Sequence, residues 1–86
     1  MKICGIYKIT NPKGKVYIGK SIDFHKRMKQ YSNLYCKSQI LLYQSIKKYG
    51  WENHKHELIQ QLPERELNQS EINYIWRYNS TNREIN

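Results

Sequence analysis

The residues with most chemistry to offer are two tyrosines, an arginine and a glutamate, scattered between positions 7 and 71. Tyr7 closes the tripeptide Gly5-Ile6-Tyr7, and after nine intervening residues Tyr17 opens Tyr17-Ile18-Gly19. A phenol with a pKa near 10 is a poor base unless neighbouring cations stabilise its anion. Arg27, Lys20 or Lys29 would supply that charge; without it, tyrosines in strands are packing residues. Arg27 lies in Asp23-Phe24-His25-Lys26-Arg27-Met28-Lys29. Its guanidinium offers a fork of donors to phosphate oxygens and stays charged, although in so basic a chain it also reads as one more solvated cation. Glu71 stands four residues after Leu67 and four before Ile75, on a stripe completed by Tyr74 and Tyr78. A carboxylate aimed at the body of a basic domain is costly unless it is paired or holds a metal. Both readings stay open from the pattern: a buried salt bridge to a Lys or Arg, or a divalent-cation site.

These residues need elements to bring them together. Ile3 to Thr10 alternates with apolar residues on both parities, which predicts a strand buried on both faces. Asn11-Pro12-Lys13-Gly14 supplies a turn, with Pro12 fixing φ and Gly14 free to take a positive one. Lys15 to Gly19 returns as the second strand of an antiparallel hairpin. Pairing symmetric about Pro12 would set Tyr7 directly opposite Tyr17; a one-residue slip would send the two phenols to opposite faces. Ser21-Ile22-Asp23 offers cap residues for a helix to about Tyr31, with Phe24, Met28 and Tyr31 as its apolar stripe. A polar connection from Ser32 to Lys37 leads to a second helix, about Ser38 to Tyr49, stopped by Gly50. His54 to Leu62 fits a third strand, and Pro63 opens a last helix from about Glu64 to near Asn79. The order β-β-α-α-β-α predicts an α+β fold, a small three-stranded antiparallel sheet flanked by three helices.

Eighty-six residues make a single domain spanning 1–86. Fifteen Lys and Arg against seven Asp and Glu give a net charge of +8, an electrostatic footprint suited to a polyanion. Nucleic acid is the first candidate and an anionic membrane surface the second; a basic adaptor for a protein partner is a third. No apolar run approaches the ~20 residues of a spanning helix, so no membrane partner is expected. Cys4 and Cys36 make no disulfide framework, and a reduced cytoplasmic setting is the simplest account. His54 and His56, two apart, would share a strand face open to zinc, but no second ligand pair stands at suitable spacing.

The paired triplets with a hairpin turn between them resemble the GIY-YIG nuclease family, whose naming motif they are. The resemblance runs through nearly the whole chain. The stretch after Tyr17-Ile18-Gly19 is similar to the family's S-x-D-x-x-x-R segment, with Arg27 at the arginine. Ile40 to Trp51 resembles the phage and intron homing endonuclease branch, and Glu71 falls at the family's metal-binding glutamate. Two positions depart from that branch: Tyr31 stands where many members carry a histidine, and Lys37 where another histidine often precedes the second helix. Asn86 lies near a supporting asparagine of the family, without the usual Gly-Tyr-Asn around it.

What the resemblance implies is a metal-dependent endonuclease for DNA, in the cytoplasm of a bacterial or phage-infected cell. Its cofactor would be Mg²⁺ (or Mn²⁺) on Glu71. Tyr7 would be base-like, Tyr17 would position water or phosphate, Arg27 would clamp phosphate, and Tyr31 would complete the catalytic set. Lys20, Lys29, Lys37 and Asn86 are the further candidate phosphate contacts. Products would carry 5′-phosphate and 3′-hydroxyl ends. Homing-type relatives carry a separate DNA-binding region, which leaves two expectations open: a catalytic fragment served by an additional DNA-binding domain or partner, or a stand-alone nuclease with loose preference. The alternative is a nucleic-acid-binding module of the same fold with weak or absent cleavage, which the departures at Tyr31, Lys37 and the C-terminus would favour.

Overall fold

Asn11 sets the first turn. Its side-chain oxygen accepts from the backbone N–H of Lys13 and of Lys15, both at 2.9 Å. The Asn11 N–H donates to the Lys15 carbonyl and the Gly14 N–H to the Asn11 carbonyl. Gly14 takes the expected positive φ, 86°. This loop joins β1 (Gly5–Thr10) to β2 (Val16–Ser21) in an antiparallel hairpin. The computed structural model describes residues 2–36 and 38–78.

After the hairpin come α1 (Phe24–Ser32), α2 (Ile40–Tyr49), a 3-10 turn at Trp51–Asn53, β3 (Lys55–Gln61), a second 3-10 turn at Glu64–Glu66, and α3 (Leu67–Tyr78). Asp23 caps α1 as expected, its carboxylate accepting from the Lys26 N–H. The last helix begins later than expected, because the residues after Pro63 form the tighter turn first. Its predicted end near Asn79 lies outside the described residues.

The sheet order is β2-β1-β3, all antiparallel, so β1 is central and buried on both faces. Tyr7, Ile9 and Tyr17 face α1 and α2, packing with Phe24, Met28, Tyr31, Leu42 and Ile46. Ile6 and Ile18 face the other way, against Leu67 and Ile75 of α3. The sheet is thus a middle layer between a helix pair and a single helix, the architecture predicted from the element order.

The hairpin register differs from pairing about Pro12. Tyr7 stands opposite Gly19, and Tyr17 opposite Ile9. The shift is two residues, because the loop holds five residues between the strands, so both phenols keep the same face. The motif's last glycine then has a steric reason: a Cβ on Gly19 would lie on the Tyr7 ring, 2.7 Å from its Cε1. The first glycine has one too. A Cβ on Gly5 would run into the Gln60 carbonyl, beside the irregularity where β3 pairs with Ile6 and Tyr7.

Candidate active site

Tyr7 is held at the centre of the domain. Its ring sits over Gly19, tilted against Phe24 at 6.1 Å and edge-on to Tyr31 at 5.9 Å between centroids. The Tyr7 and Tyr31 hydroxyls share a short buried hydrogen bond. Gln39, at the N-terminus of α2, adds a side-chain hydrogen bond to Tyr31. Burial pushes the Tyr7 phenol well above the usual 10, with the Tyr31 oxygen adding to the rise; burial likewise raises Tyr31. Arg27 opposes both shifts, so its cationic field is directed at the phenol pair. A tyrosine in the position of the homing-type histidine therefore does something specific here: it gives Tyr7 a buried partner.

Arg27 projects from α1, one residue before Met28 of the buried stripe, and is itself half-exposed. It lines a cavity of about 280 Å³ together with Lys20, Ser21, Asn68 and Glu64. On its other side it lines a cavity of about 170 Å³ with Lys2 and Lys26. A guanidinium between two open, basic hollows is well set to take phosphate oxygens.

Glu71 enters from the opposite layer. It is 9% exposed, on the face of α3 that carries Leu67 and Ile75. Its carboxylate meets the Lys20 ammonium at 3.4 Å, and Lys20 also donates to the Asn68 side-chain oxygen. Burial raises the Glu71 carboxyl above its ordinary range, while Lys20 pulls it back. The carboxylate's field also reaches Tyr7, where it raises the phenol further. The ion pair is open on one side, since the Lys20 side chain is 40% exposed. The ion-pair reading of Glu71 is the one observed: it has a lysine partner, and that partner stands at the rim of an open cavity.

The candidate residues divide into two groups. Tyr7, Tyr31, Arg27, Lys20 and Glu71 are linked in one group: Tyr7 to Tyr31 by a hydrogen bond, Lys20 to Glu71 by an ion pair, and Arg27 to the phenols by charge and to Lys20 by the cavity those two line. Tyr17, although on the same sheet face as Tyr7, lines a second cleft at the turn end of β2. Lys29 is exposed on the last turn of α1 and lines none of these hollows. Lys37 and Asn86 lie outside the described residues. His54 and His56 do not form a metal pair. His54 is buried, joined to the Ser45 hydroxyl and the Gly50 carbonyl, whereas exposed His56 stacks on Trp51 at 5.0 Å. The sequence reading missed Asn68 and Gln39. Asn68 carried a signal, since it sits three residues before Glu71 and so on the same helix face.

A family model described as the GIY-YIG catalytic domain matches residues 3–85. The chain belongs to the GIY-YIG family. It is a nuclease domain of that family, and the solved structures agree: the catalytic domain of homing endonuclease I-TevI superposes with a TM-score of 0.76 at 28% identity, over 91% of this chain and 90% of that one. No curated protein matches the sequence. For a GIY-YIG domain, a divalent metal is the general expectation, and Glu71 can be tested against it. Its buried carboxylate already has the Lys20 ammonium at 3.4 Å, so a metal there would share or replace that partner. One carboxylate suffices for Mg²⁺, which retains waters and takes substrate phosphate oxygens as its other ligands. Among the described residues no three His, Cys, Asp or Glu side chains gather into an all-protein cage. Among them, too, no helix is long and apolar enough to cross a membrane.

Proposed function

We propose that this domain is a divalent-metal-dependent DNA endonuclease, hydrolysing phosphodiester bonds at the cavity shared by Arg27 and Lys20. The observation that carries the reading is the convergence of three elements on that cavity. Arg27 comes from α1, Lys20 from β2, and Glu71, through its ion pair with Lys20, from α3.

The scissile phosphate sits between the guanidinium and the ammonium, whose fixed positive charge favours the extra negative charge of the transition state. Glu71 would hold the metal, whose charge would be set against that of the phosphate. Lys20, part-exposed at the cavity, offers its ammonium to the substrate. Tyr7 is neutral at rest because it is buried. Tyr7 is assigned the base-like role, with Tyr31 as its buried hydrogen-bond partner. The pair accepts the water's proton only when positive charge at the site offsets burial, a direction in which Arg27 already acts.

The test is conversion of supercoiled plasmid to open-circular or linear DNA in Mg²⁺ or Mn²⁺, followed by DNA ligase. Nicks that ligase reseals carry the 5′-phosphate and 3′-hydroxyl ends the reading requires. A protein that shifts plasmid mobility yet never cuts it, with any divalent cation, is a binding module instead.

A further inference from the structure

Tyr17 is buried on the α1/α2 face of the sheet and, like Tyr7, does not line the cavity around Arg27. It forms part of a second cleft, about 200 Å³, at the other end of the same edge strand. Three ammonium groups border this cleft: Lys13 and Lys15 from the hairpin loop, and Lys48 from α2. Among the described residues no carboxylate lines it. We propose that this cleft is a second phosphate subsite, gripping the DNA backbone at a point distinct from the phosphate being cleaved. The proposal rests on the endonuclease reading and adds where the substrate strand runs.

The lysines are presented by a fixed platform. Buried Asn11 holds the loop by accepting from the Lys13 and Lys15 N–H groups, and its amide reaches the Ser45 hydroxyl of α2 at 3.4 Å. Ser45 continues to His54 at 2.8 Å, and His54 to the Gly50 carbonyl at 2.8 Å. This buried polar chain locks the hairpin loop to α2, so the two loop lysines and Lys48 keep a set spacing. Lys48 is itself steered over the Tyr49 ring, 5.2 Å from its centroid. The fixed backbone removes the loop's share of the ordering cost when a phosphate arrives, leaving that of the exposed lysine side chains.

Tyr17 and Lys20 are three residues apart on β2, about 10 Å along an extended strand. Their side chains leave opposite faces of the sheet, Tyr17 toward α1 and α2 and Lys20 toward α3, so a backbone that touches both cavities crosses the sheet edge that β2 forms.

The experiment measures binding of a short duplex by fluorescence anisotropy, in EDTA, across a salt series. Wild type is compared with K13Q/K15Q/K48Q, with K48Q alone, and with K47Q/K55Q, two exposed lysines outside the cleft. Each lost phosphate contact flattens the slope of log K against log salt by about 0.9, so the triple variant should lose about 2.7 and K48Q about 0.9. Affinity of the triple variant at about 100 mM salt should fall at least tenfold, while K47Q/K55Q stays close to wild type. Equal loss per charge in K47Q/K55Q would mean diffuse attraction and would overturn the subsite. So would an unchanged slope in the folded triple variant, including one that loses binding to phosphatidylserine vesicles instead. Wild type that binds with the expected slopes but never cuts plasmid would sink the nuclease reading and leave the subsite standing.

Discussion

Gly19→Ala should damage this protein through a single atom. The added Cβ would lie 2.7 Å from Tyr7 Cε1, against an ordinary carbon contact of about 3.5–4.0 Å. Tyr7 has nowhere to retreat: it is 1% exposed, wedged between Phe24 and Tyr31, and hydrogen-bonded to the latter. Forcing a methyl group into a filled core costs about 1–3 kcal/mol. In a domain of this size each kcal/mol lowers Tm by about 4–8 °C, so a fall of roughly 5–20 °C is expected. The same displacement breaks the Tyr7–Tyr31 hydrogen bond, so plasmid nicking should drop even at temperatures where the variant is folded. Thermal unfolding of wild type, Gly19→Ala, Tyr7→Leu and the double variant isolates the clash, since leucine removes the ring that the methyl group meets. An unchanged Tm for Gly19→Ala, or the same penalty with and without the Tyr7 ring, would refute the reasoning.

Glu71→Gln should raise Tm at neutral pH while abolishing cleavage. The native state holds the Glu71 proton at pH values where the unfolded chain has released it, because burial raises this carboxyl. Stability from this group is therefore greatest below the ordinary carboxylate range and falls as pH rises through the raised native value; a Tm series over pH should show that slope in wild type and not in the glutamine variant. Arg27→Lys keeps the charge but loses the fork, and should slow nicking about 10- to 100-fold with little change in Tm. Tyr31→Phe strips Tyr7 of its buried partner and should cost about 1–3 kcal/mol of unfolding free energy in urea. His54→Ala opens the chain linking Ser45 to the Gly50 carbonyl, with a similar loss and a weakened cleft for Lys13 and Lys15.

Much of the fold was legible because its signals are local. Alternation in Ile3 to Thr10, the Asp23 cap, Gly50 and Pro63 each act within a few residues, and the elements followed. The hairpin register was not, since it depends on how many loop residues Asn11 draws together, which turn composition leaves open. Glu71 illustrates the same divide. Helical spacing put it on the buried stripe with Leu67 and Ile75, yet its lysine partner comes from β2, on the sheet beneath, and no local pattern names it. Tyr31 is a further case. As a departure from the homing-type histidine it reads as variation within the family, but its hydroxyl's partner, Tyr7, comes from β1 and no local pattern names it. The separation of Tyr17 from the Arg27 cavity also lies beyond sequence: parity assigns both phenols one sheet face but not which end of the strand each serves.

The most direct measurement is single-turnover cleavage of supercoiled plasmid by wild type and Glu71→Gln, with Mg²⁺ and with EDTA, alongside DNA binding by both. Wild type should cut only with the metal, and Glu71→Gln should bind DNA comparably yet cut at least about 100-fold more slowly, the scale expected for losing a principal electrostatic contact in the transition state. Cutting in EDTA, or cutting by the glutamine variant at the wild-type rate, would contradict the assignment of Glu71 as the metal-holding carboxylate of the site.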